Sequence, residues 1–247
     1  MAAKLNSIVR LLNKELDIRG IADQSRNGLQ IRASVNVHKV GLAADACMDS
    51  FKRAKLLGCD LLIVHHGLIW TGQKDKAGIT RKRISFLKKN HISLYAAHLP
   101  LDKSRKYGHN TYILKMLGAK PKKIFGGVGY MGDLDRSRTV RSITDEIEEK
   151  LATKCKVWAC GKRNVKRIAA ISGAGSSLIP DAIKKKVDLF ITGEAFSWHY
   201  YDAKEGGLNV IIAGHYKTET SGVKAIGELL ERKFEVKTVF IDLPTGL

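Results

Sequence analysis

The chain has 247 residues, enough for one large domain or two small ones around a hydrophobic core. Hydrophobic residues make up 44% and charged residues 27%, as in ordinary folded proteins, and no run of roughly 18 apolar residues occurs, so no membrane-spanning helix is expected. The 43 basic and 24 acidic residues give a net charge of +19, which favours partners that carry many negative charges.

The N-terminal segment MAAKLNSIVRLLNKELD predicts an amphipathic helix with charges throughout. It lacks the uninterrupted apolar stretch of a secretory signal peptide, so we expect a cytoplasmic protein. The cysteines form no C-x-x-C pair, which favours reduced thiols over a disulfide framework or a zinc knuckle. They are Cys47, Cys59, Cys155 and Cys160.

Apolar runs typical of strands alternate with helical patterns along the chain, which predicts an α/β fold. The predicted strands are 38–44, 59–65, 93–98, 167–173, 187–193, 209–215 and 237–242. The predicted helices are 3–17, 46–57, 80–90, 105–117, 140–153, 177–186 and 219–232. The glycine-rich segment 122–134 predicts a connection or an edge region between two halves.

The two halves resemble each other, which predicts an internal duplication of a strand–helix–strand unit. NVHKVGLAADA resembles NVKRIAAISGA, and CDLLIVHHGLIW resembles VDLFITGEAFSW; Asn36 to Asn164 and Asp60 to Asp188 are both offsets of 128. A third pair, SLYAAHLPLD and NVIIAGHYKTE, ends in His-x-x-x-carboxylate in both halves. We expect a first lobe over about 1–120, a connection over about 121–160 and a second lobe over about 161–247.

Polar side chains that can bind metal or move protons lie near the ends of the central predicted strands in both halves. They are His65, His66, His98 and Asp102 in the first half, and Glu194, His199, His215 and Glu219 in the second. Ligands of open α/β sheets gather at the carboxyl ends of the strands. The sequence therefore predicts a functional site built from these ends.

The adjacent histidines His65 and His66 indicate two metal ions. Neighbouring side chains on a regular strand point to opposite faces, whereas both rings can reach neighbouring points where the strand ends. Two ions about 3.5–4 Å apart would take one histidine each. Asp102 and Glu219 are the natural bridging carboxylates, and His215 completes the set. Imidazole and carboxylate ligands suit Zn, Fe or Mn, and the lack of a thiolate argues against a structural zinc site.

The other histidines are interpreted from their context. For His98 three roles stay open: a metal ligand, a hydrogen-bond donor to a ligand, or a general base. We expect His38, His91 and His109 to be structural, because none of them has a comparable setting.

Three further features have two interpretations each. ISGAGSS at 171–177 predicts a tight strand-to-helix turn or a phosphate cradle. GEAFSWHYYDAKEGG at 193–207 predicts an aromatic pocket wall or a core or interface segment. The basic runs predict either contacts with nucleic acid or phosphate, or a solvated surface. These runs are 81–83, 120–123, 162–167 and 184–186.

These motifs together resemble the dinuclear metal centre, hexameric protein family, usually labelled type 2 homologues of GTP cyclohydrolase I. The resemblance covers nearly the whole chain and rests on ADQSRNGLQI, VHHGLIW, AAHLPLD, GVGYMGDL, ISGAGSS, DLFITGEAFSWH, IIAGHYKTE and FIDLP, in the family's order. Longer members carry an inserted domain, so this chain resembles the compact form. Gly67-Leu68 replaces the Pro that commonly follows the histidine pair, and 109–118 matches more loosely.

The resemblance implies that five residues hold two divalent metal ions per subunit: His65, His66, Asp102, His215 and Glu219. It also implies two similar interdigitating α/β lobes with the metal site between them, and a homohexameric ring. His98 lies outside the family's ligand pattern, and we assign it as the candidate catalytic residue that moves protons.

Two functions of different classes follow. The first is a metal-dependent hydrolase that acts on a nucleotide-like or phosphorylated substrate through an activated water. The alternative is a basic ring protein that binds DNA or RNA, with metals that are mainly structural. A metal carrier with weakly held, exchangeable ions is a third interpretation.

Overall fold

Strands and helices alternate along the chain in the computed structural model, which describes residues 2–75 and 77–247. The strands are β1 (Ala3–Lys4), β2 (Gly28–Ile31), β3 (Asn36–Val37), β4 (Lys39–Asp45), β5 (Leu61–His66), β6 (Ser93–Ala96), β7 (Lys123–Phe125), β8 (Gly129–Thr139), β9 (Lys156–Trp158), β10 (Asn164–Ile171), β11 (Leu189–Thr192), β12 (Asn209–Ile212) and β13 (Lys237–Phe240).

The helices are α1 (Leu5–Glu15), α2 (Met48–Leu56), α3 (Ile79–Lys89), α4 (Leu99–Lys103), α5 (His109–Met116), α6 (Val140–Leu151), α7 (Ile179–Lys184), α8 (Trp198–Glu205), α9 (His215–Thr218) and α10 (Ser221–Phe234). A short 3₁₀-helix, Ser176–Leu178, precedes α7. Within 2–75 and 77–247, no helix is both long and apolar enough to cross a membrane.

Every predicted strand and helix is present, but several ends differ. β6 ends at Ala96 and β12 at Ile212, so His98 and His215 follow their strands instead of closing them. After β12 the chain turns at Gly214, whose φ of +88° is incompatible with an extended strand. The α/β prediction is confirmed, because the described chain folds around two mixed sheets.

One compact unit comprises residues 1–101 and 222–243. Its five-stranded sheet has the order β13-β4-β5-β6-β2, in which the first four strands are parallel and β2 is antiparallel to β6. The LLIV run of β5 is buried throughout, as expected of a central parallel strand covered on both faces. A Cβ added at Gly227 of α10 would run into Leu42 of β4, so glycine permits the close approach of this helix.

The other compact unit comprises residues 102–221 and 244–247. Its six-stranded sheet has the order β7-β8-β10-β11-β12-β9, with β10, β11 and β12 parallel and the outer strands antiparallel. The segment 122–134, predicted as a connection or edge, forms β7 and the start of β8 at one edge of this sheet.

Two matched aspartates make equivalent hydrogen bonds in the two units. Asp60 Oδ2 accepts from the N–H groups of His38 (2.7 Å) and Lys39 (3.2 Å). Asp188 Oδ2 accepts from those of Lys166 (3.0 Å) and Arg167 (2.9 Å). Each aspartate stands directly before a strand, Asp60 before β5 and Asp188 before β11, and its hydrogen bonds link that position to the first residues of the preceding strand. This equivalence agrees with an internal duplication, which stays a prediction.

The two units do not follow the lobes drawn on the sequence. Residues 222–243, placed in the predicted second lobe, belong to the first unit. The reason is the parallel pairing of β13 with β4, from Lys237 opposite Lys39 to Phe240 opposite Leu42. Residues 102–120, placed in the predicted first lobe, belong to the second unit.

Candidate metal centre

The first unit brings three of the predicted site residues together. His65 and His66 close β5, and His98 follows β6, the neighbouring parallel strand. The ring centroids of His65 and His66 lie 4.7 Å apart, and the ring of His98 lies 5.0 Å from His65 and 5.5 Å from His66. The three histidines offer ligand atoms that all lie within 4.8 Å of one another. The first unit therefore carries a histidine cluster at the carboxyl end of its sheet.

Each ring of this cluster is oriented through its Nδ1. His65 Nδ1 donates to the carbonyl oxygen of Ala97 at 2.9 Å. His66 Nδ1 donates to Asp45 Oδ1 at 2.9 Å, and β4 places Asp45 directly opposite His66. A neutral imidazole that carries its proton on Nδ1 has its lone pair on Nε2. Metal-binding histidines usually donate the N–H of their other ring nitrogen to a carbonyl or carboxylate oxygen of this kind. The orientation of both rings is therefore suited to binding a metal through Nε2.

His98 is held by a buried carboxylate, Asp23. The two oxygens of Asp23 lie 3.0 Å and 3.1 Å from His98 Nδ1, and the aspartate side chain is 3% exposed. Asp23 also accepts from Asn27 Nδ2 (2.8 Å) and from the N–H groups of Ser25 (3.0 Å) and Leu99 (3.1 Å). Burial opposes ionisation, but the hydrogen bonds from His98, Asn27 and Ser25 outweigh it and lower the pKa of Asp23. Asp23 therefore stays ionised and keeps a proton on His98 Nδ1.

The loop after β5 is braced by the N-terminal segment ADQSRNGLQI. Gln30 Oε1 accepts from the N–H of Leu68 at 2.7 Å, and Trp70 Nε1 donates to the carbonyl oxygen of Gly67 at 2.8 Å. A Cβ at Gly67 would run into the Gln30 side chain, so glycine is needed at this position. The Trp70 ring meets His98 edge-on at 5.0 Å. The bracing gives the histidine cluster a partly apolar wall.

The second unit pairs His215 with two carboxylates. His215 begins α9 and Glu219 lies one turn later, with His215 Nε2 3.0 Å from Glu219 Oε2. His215 Nδ1 lies 2.7 Å from Oε1 of Glu194, which follows β11. The hydrogen bond to Glu219, opposed by burial and assisted by the charges of Glu219 and Glu194, raises the pKa of His215 to about 9. A positive charge is therefore stabilised here, as a bound cation would be.

The glycine turn of ISGAGSS makes room for Glu219. Gly173 has a φ of +61°, and a Cβ there would run into Glu219 Oε1. Its N–H donates to Thr218 Oγ1 at 3.0 Å, and the N–H of Gly175 donates to Thr192 Oγ1 at 3.0 Å. Because these N–H groups are used within the unit, the segment is a tight turn that shapes the carboxylate site, in agreement with the first of its two interpretations.

Asp102 lies on α4, in a buried polar network of the second unit. Its side chain is almost fully buried, and Oδ1 accepts from Ser172 Oγ at 3.0 Å. Asn110 supports this pair, because its Oδ1 accepts from the N–H of Ser172 at 2.6 Å. His109, expected to be structural, is fully buried and offers a ligand atom within 4.8 Å of one from Asp102. A metal would thus meet a carboxylate already fixed by hydrogen bonds.

One predicted site residue has a different setting. His199 lies on α8, with its ring centroid 6.1 Å from that of Phe196 and 5.6 Å from that of Trp198. Within the described ranges its Nδ1 is buried without a hydrogen-bond partner. The ring partner of Glu194 is His215 and not His199. His199 therefore lies among the aromatic side chains of the segment 193–207 and does not share the hydrogen bond between Glu194 and His215.

Sequence reasoning missed three residues that support the site. Asp45 is the last residue of β4, a position that the strand-end pattern covers, but the predicted strand stopped at residue 44. Asp23 lies in the signature segment ADQSRNGLQI and has no strand-end signal. Ser172 lies one residue beyond β10, so the strand-end pattern could have found it.

The chain is similar to known proteins over nearly its whole length. The family model described as Duf34/NIF3 (NGG1p interacting factor 3) matches residues 3–245. A relative from Archaeoglobus fulgidus, named GTP cyclohydrolase 1 type 2 homolog, is 43% identical over 98% of this chain and 99% of its own length. A relative of the same name from Pyrococcus horikoshii is also 43% identical, with the same coverage.

Solved structures agree over the full length. The crystal structure of TTHA1606 from Thermus thermophilus has a TM-score of 0.93 at 37% identity and covers 99% of this chain and 100% of its own. A protein described as ybgI, of unknown function, has a TM-score of 0.94 at 32% identity, with the same coverage. The described fold is therefore the fold of these relatives.

Proposed function

The chain belongs to the Duf34/NIF3 family, and from that premise we propose that it is a dinuclear metal-dependent hydrolase acting on a nucleotide-like or phosphorylated substrate. The observation that carries the proposal is the histidine cluster of the first unit, in which each ring is held through Nδ1 and can offer Nε2. The shared name of the relatives, GTP cyclohydrolase 1 type 2 homolog, supports the nucleotide-like class.

The proposed metal ligands are His65, His66, Asp102, His215 and Glu219, for two ions of Zn, Fe or Mn. Their donor chemistry supports this set, since imidazole and carboxylate suit these metals. Asp45 and Glu194 orient His66 and His215, and Ser172 orients Asp102. When bound, such ions supply Lewis acidity that lowers the pKa of water and offsets negative charge developing on the substrate.

We assign His98 the role of general base. Its Nδ1 proton is held by ionised Asp23, so a neutral ring accepts a further proton at Nε2. The Asp23 carboxylate then stabilises the imidazolium that forms, as the buried aspartate does in serine-protease triads. Trp70 packs edge-on against the ring, with the two centroids 5.0 Å apart.

The test combines metal analysis with turnover of GTP, other nucleotides and phosphodiesters by Mn-, Zn- or Fe-loaded protein. We expect Asp102→Ala to lose bound metal and turnover together. We expect His98→Gln to keep its metal and lose about 10²–10⁴-fold in kcat, the usual contribution of a general base. His38→Gln, on an exposed histidine of the first unit, is the matched control and should retain full activity.

Two results would contradict the hydrolase. If Asp102→Ala turned over substrate as fast as the unaltered protein, the metal would have no part in the reaction. Metal that exchanges freely in the unaltered protein, with no turnover of any substrate class, would favour the metal carrier. A homohexameric ring and a cytoplasmic location, implied by the family resemblance and the N-terminal segment, are part of the same proposal.

A further inference from the structure

Three basic runs that are far apart in the sequence meet at one groove of the second unit. Lys122 and Lys123 come from the run 120–123, Arg167 from the run 162–167, and Lys185 from the run 184–186. Together with Ile124, Met131, Gly132 and Asp133 they line a cavity of about 400 Å³. This groove, which we call the basic groove, shares none of these lining residues with the proposed metal site.

Strand pairing explains why the runs converge. β7 pairs antiparallel with β8, which sets Lys123 opposite Met131. β8 also pairs antiparallel with β10, which sets Asp133 opposite Arg167. Lys185 immediately follows α7, whose chain leads back into the same sheet at β11. The groove is therefore a product of sheet order, and its cations sit on a rigid scaffold.

The charge of the basic groove is strongly positive. Four basic residues and the single acid Asp133 line it, which gives 4 − 1 = +3. Asp133 bridges two of the cations, with Lys122 Nζ at 2.9 Å and Arg167 Nε at 3.3 Å. In the described part of the chain, Lys123 and Lys185 have no carboxylate partner. One acid therefore positions two cations, and the other two remain available for an anionic ligand.

The groove also has an apolar wall. Ile124 is 52% exposed, which is unusual for a large aliphatic side chain on a strand, and Met131 lies opposite the neighbouring Lys123. Phosphate alone needs no apolar surface, whereas a nucleotide presents phosphates together with the flat face of a base. A cavity of this size is also large enough for a nucleotide.

The cations continue beyond the groove along the same three runs. Lys120, Lys166, Lys184 and Lys186 are all exposed. A free nucleotide would use only a few positive charges, while a chain of phosphates uses many. We propose that the basic groove binds single-stranded nucleic acid, with phosphates on the lysines and Arg167 and a base against Ile124 and Met131. This inference does not depend on the proposed hydrolase.

The test is fluorescence anisotropy of a labelled single-stranded oligonucleotide of about 20 nucleotides with the full-length protein, at several salt concentrations and with chelator present. If four cations contact phosphates, the slope of log K against log salt should be about −3. In the double variant Lys123→Ala, Lys185→Ala we expect affinity to fall about tenfold or more and the slope to become shallower by about 1.4.

The matched control removes two equally exposed lysines from helices of the first unit, as Lys55→Ala with Lys88→Ala. Its affinity should stay within about twofold of the unaltered protein, because neither lysine belongs to the basic groove or to the three basic runs that extend it. Ile124→Ser should weaken binding several-fold and leave the salt slope unchanged, since it removes a base contact and no charge. Circular dichroism melting confirms that each variant is folded.

Four outcomes would overturn the inference. Equal losses in the groove and control variants would mean that binding follows total charge. If a duplex of the same sequence bound with equal affinity, the groove would not be specific for a single strand. If inorganic phosphate or a mononucleotide competed as effectively as the unlabelled oligonucleotide, the groove would bind a single phosphate group and not a nucleic-acid chain. Absence of binding at low salt would remove the site altogether.

Discussion

At the scale of single residues, the candidate site is defined by what holds each histidine. The Nδ1 atoms of His65, His66, His98 and His215 lie 2.7–3.0 Å from Ala97 O, Asp45, Asp23 and Glu194, respectively. Three of these four partners are carboxylates, which orient the imidazole and fix the position of its proton. The supporting acids therefore matter to the chemistry almost as much as the histidines.

Asp23 permits a prediction about pH. Its pKa in the folded protein lies below the ordinary value of 3.8, so its charged form stabilises the fold above that value and the contribution is lost as the pH falls further. We expect Asp23→Asn to lower the free energy of unfolding by about 1–3 kcal/mol at neutral pH. The difference from the unaltered protein should shrink in acid below about pH 4, as followed by thermal unfolding.

The control for this prediction is Asp49→Asn, because the Asp49 side chain is 77% exposed and pairs only loosely with Lys52 at 3.9 Å. Its stability should match that of the unaltered protein across the same pH range. If the difference in free energy of unfolding between Asp23→Asn and the unaltered protein stayed constant from neutral to acid pH, Asp23 would act through its shape and not through its charge.

At the scale of elements, the ends of strands and the turns that follow them shape the site. β5 runs through both adjacent histidines, whereas His98 and His215 stand just beyond their strands. The turn after β10 is the sharpest example, because Gly173 combines a positive φ with close approach to Glu219. Any other residue at position 173 would strain the backbone, and its Cβ would displace the Glu219 carboxylate.

We expect Gly173→Ala to lower metal affinity about tenfold or more, because it displaces the Glu219 carboxylate that we propose as a ligand. Competition with a chelator measures this affinity. The matched control is Gly118→Ala, at a φ of +79° with nothing within 4 Å of an added Cβ. It should cost a similar backbone strain of about 1 kcal/mol and leave metal affinity unchanged. Equal metal affinities in the two variants would contradict a role for Glu219.

At the scale of the whole molecule, the net charge of +19 dominates the electrostatics. Acidic residues such as Asp133, Asp188 and Glu146 neutralise a few of the cations in ion pairs, but most lysines lie exposed on the surface. Repulsion among so many like charges opposes the compact state and attracts polyanions. Salt should weaken both effects, because it screens charges beyond about 8–10 Å at physiological strength.

We therefore expect the melting temperature of the chelated protein to rise as NaCl increases from about 20 mM to about 200 mM, because repulsion is screened. Differential scanning fluorimetry measures the change, and sucrose at equal osmolality serves as the uncharged control. A melting temperature that falls with NaCl would mean that surface ion pairs contribute more to stability than like-charge repulsion removes.

The sequence alone determined the α/β class, the positions of the main strands and helices, and the polar residues near the strand ends. These features depend on local patterns: apolar runs, periodicity and the residues that follow each run. The sequence did not reveal β8, whose GYMGDLDRSRT has little strand propensity; pairing with β7 and β10 on its two sides makes it a strand.

Only the tertiary structure decided which residues support the site and where the charges gather. Asp45 and His66 are 21 residues apart, and Asp23 and His98 are 75 apart. β13 reaches β4 from the far end of the chain, and the three basic runs meet because β7, β8 and β10 are neighbours. Strand order sets these distances, and strand order follows from the burial of the whole sheet, which no local stretch of sequence encodes.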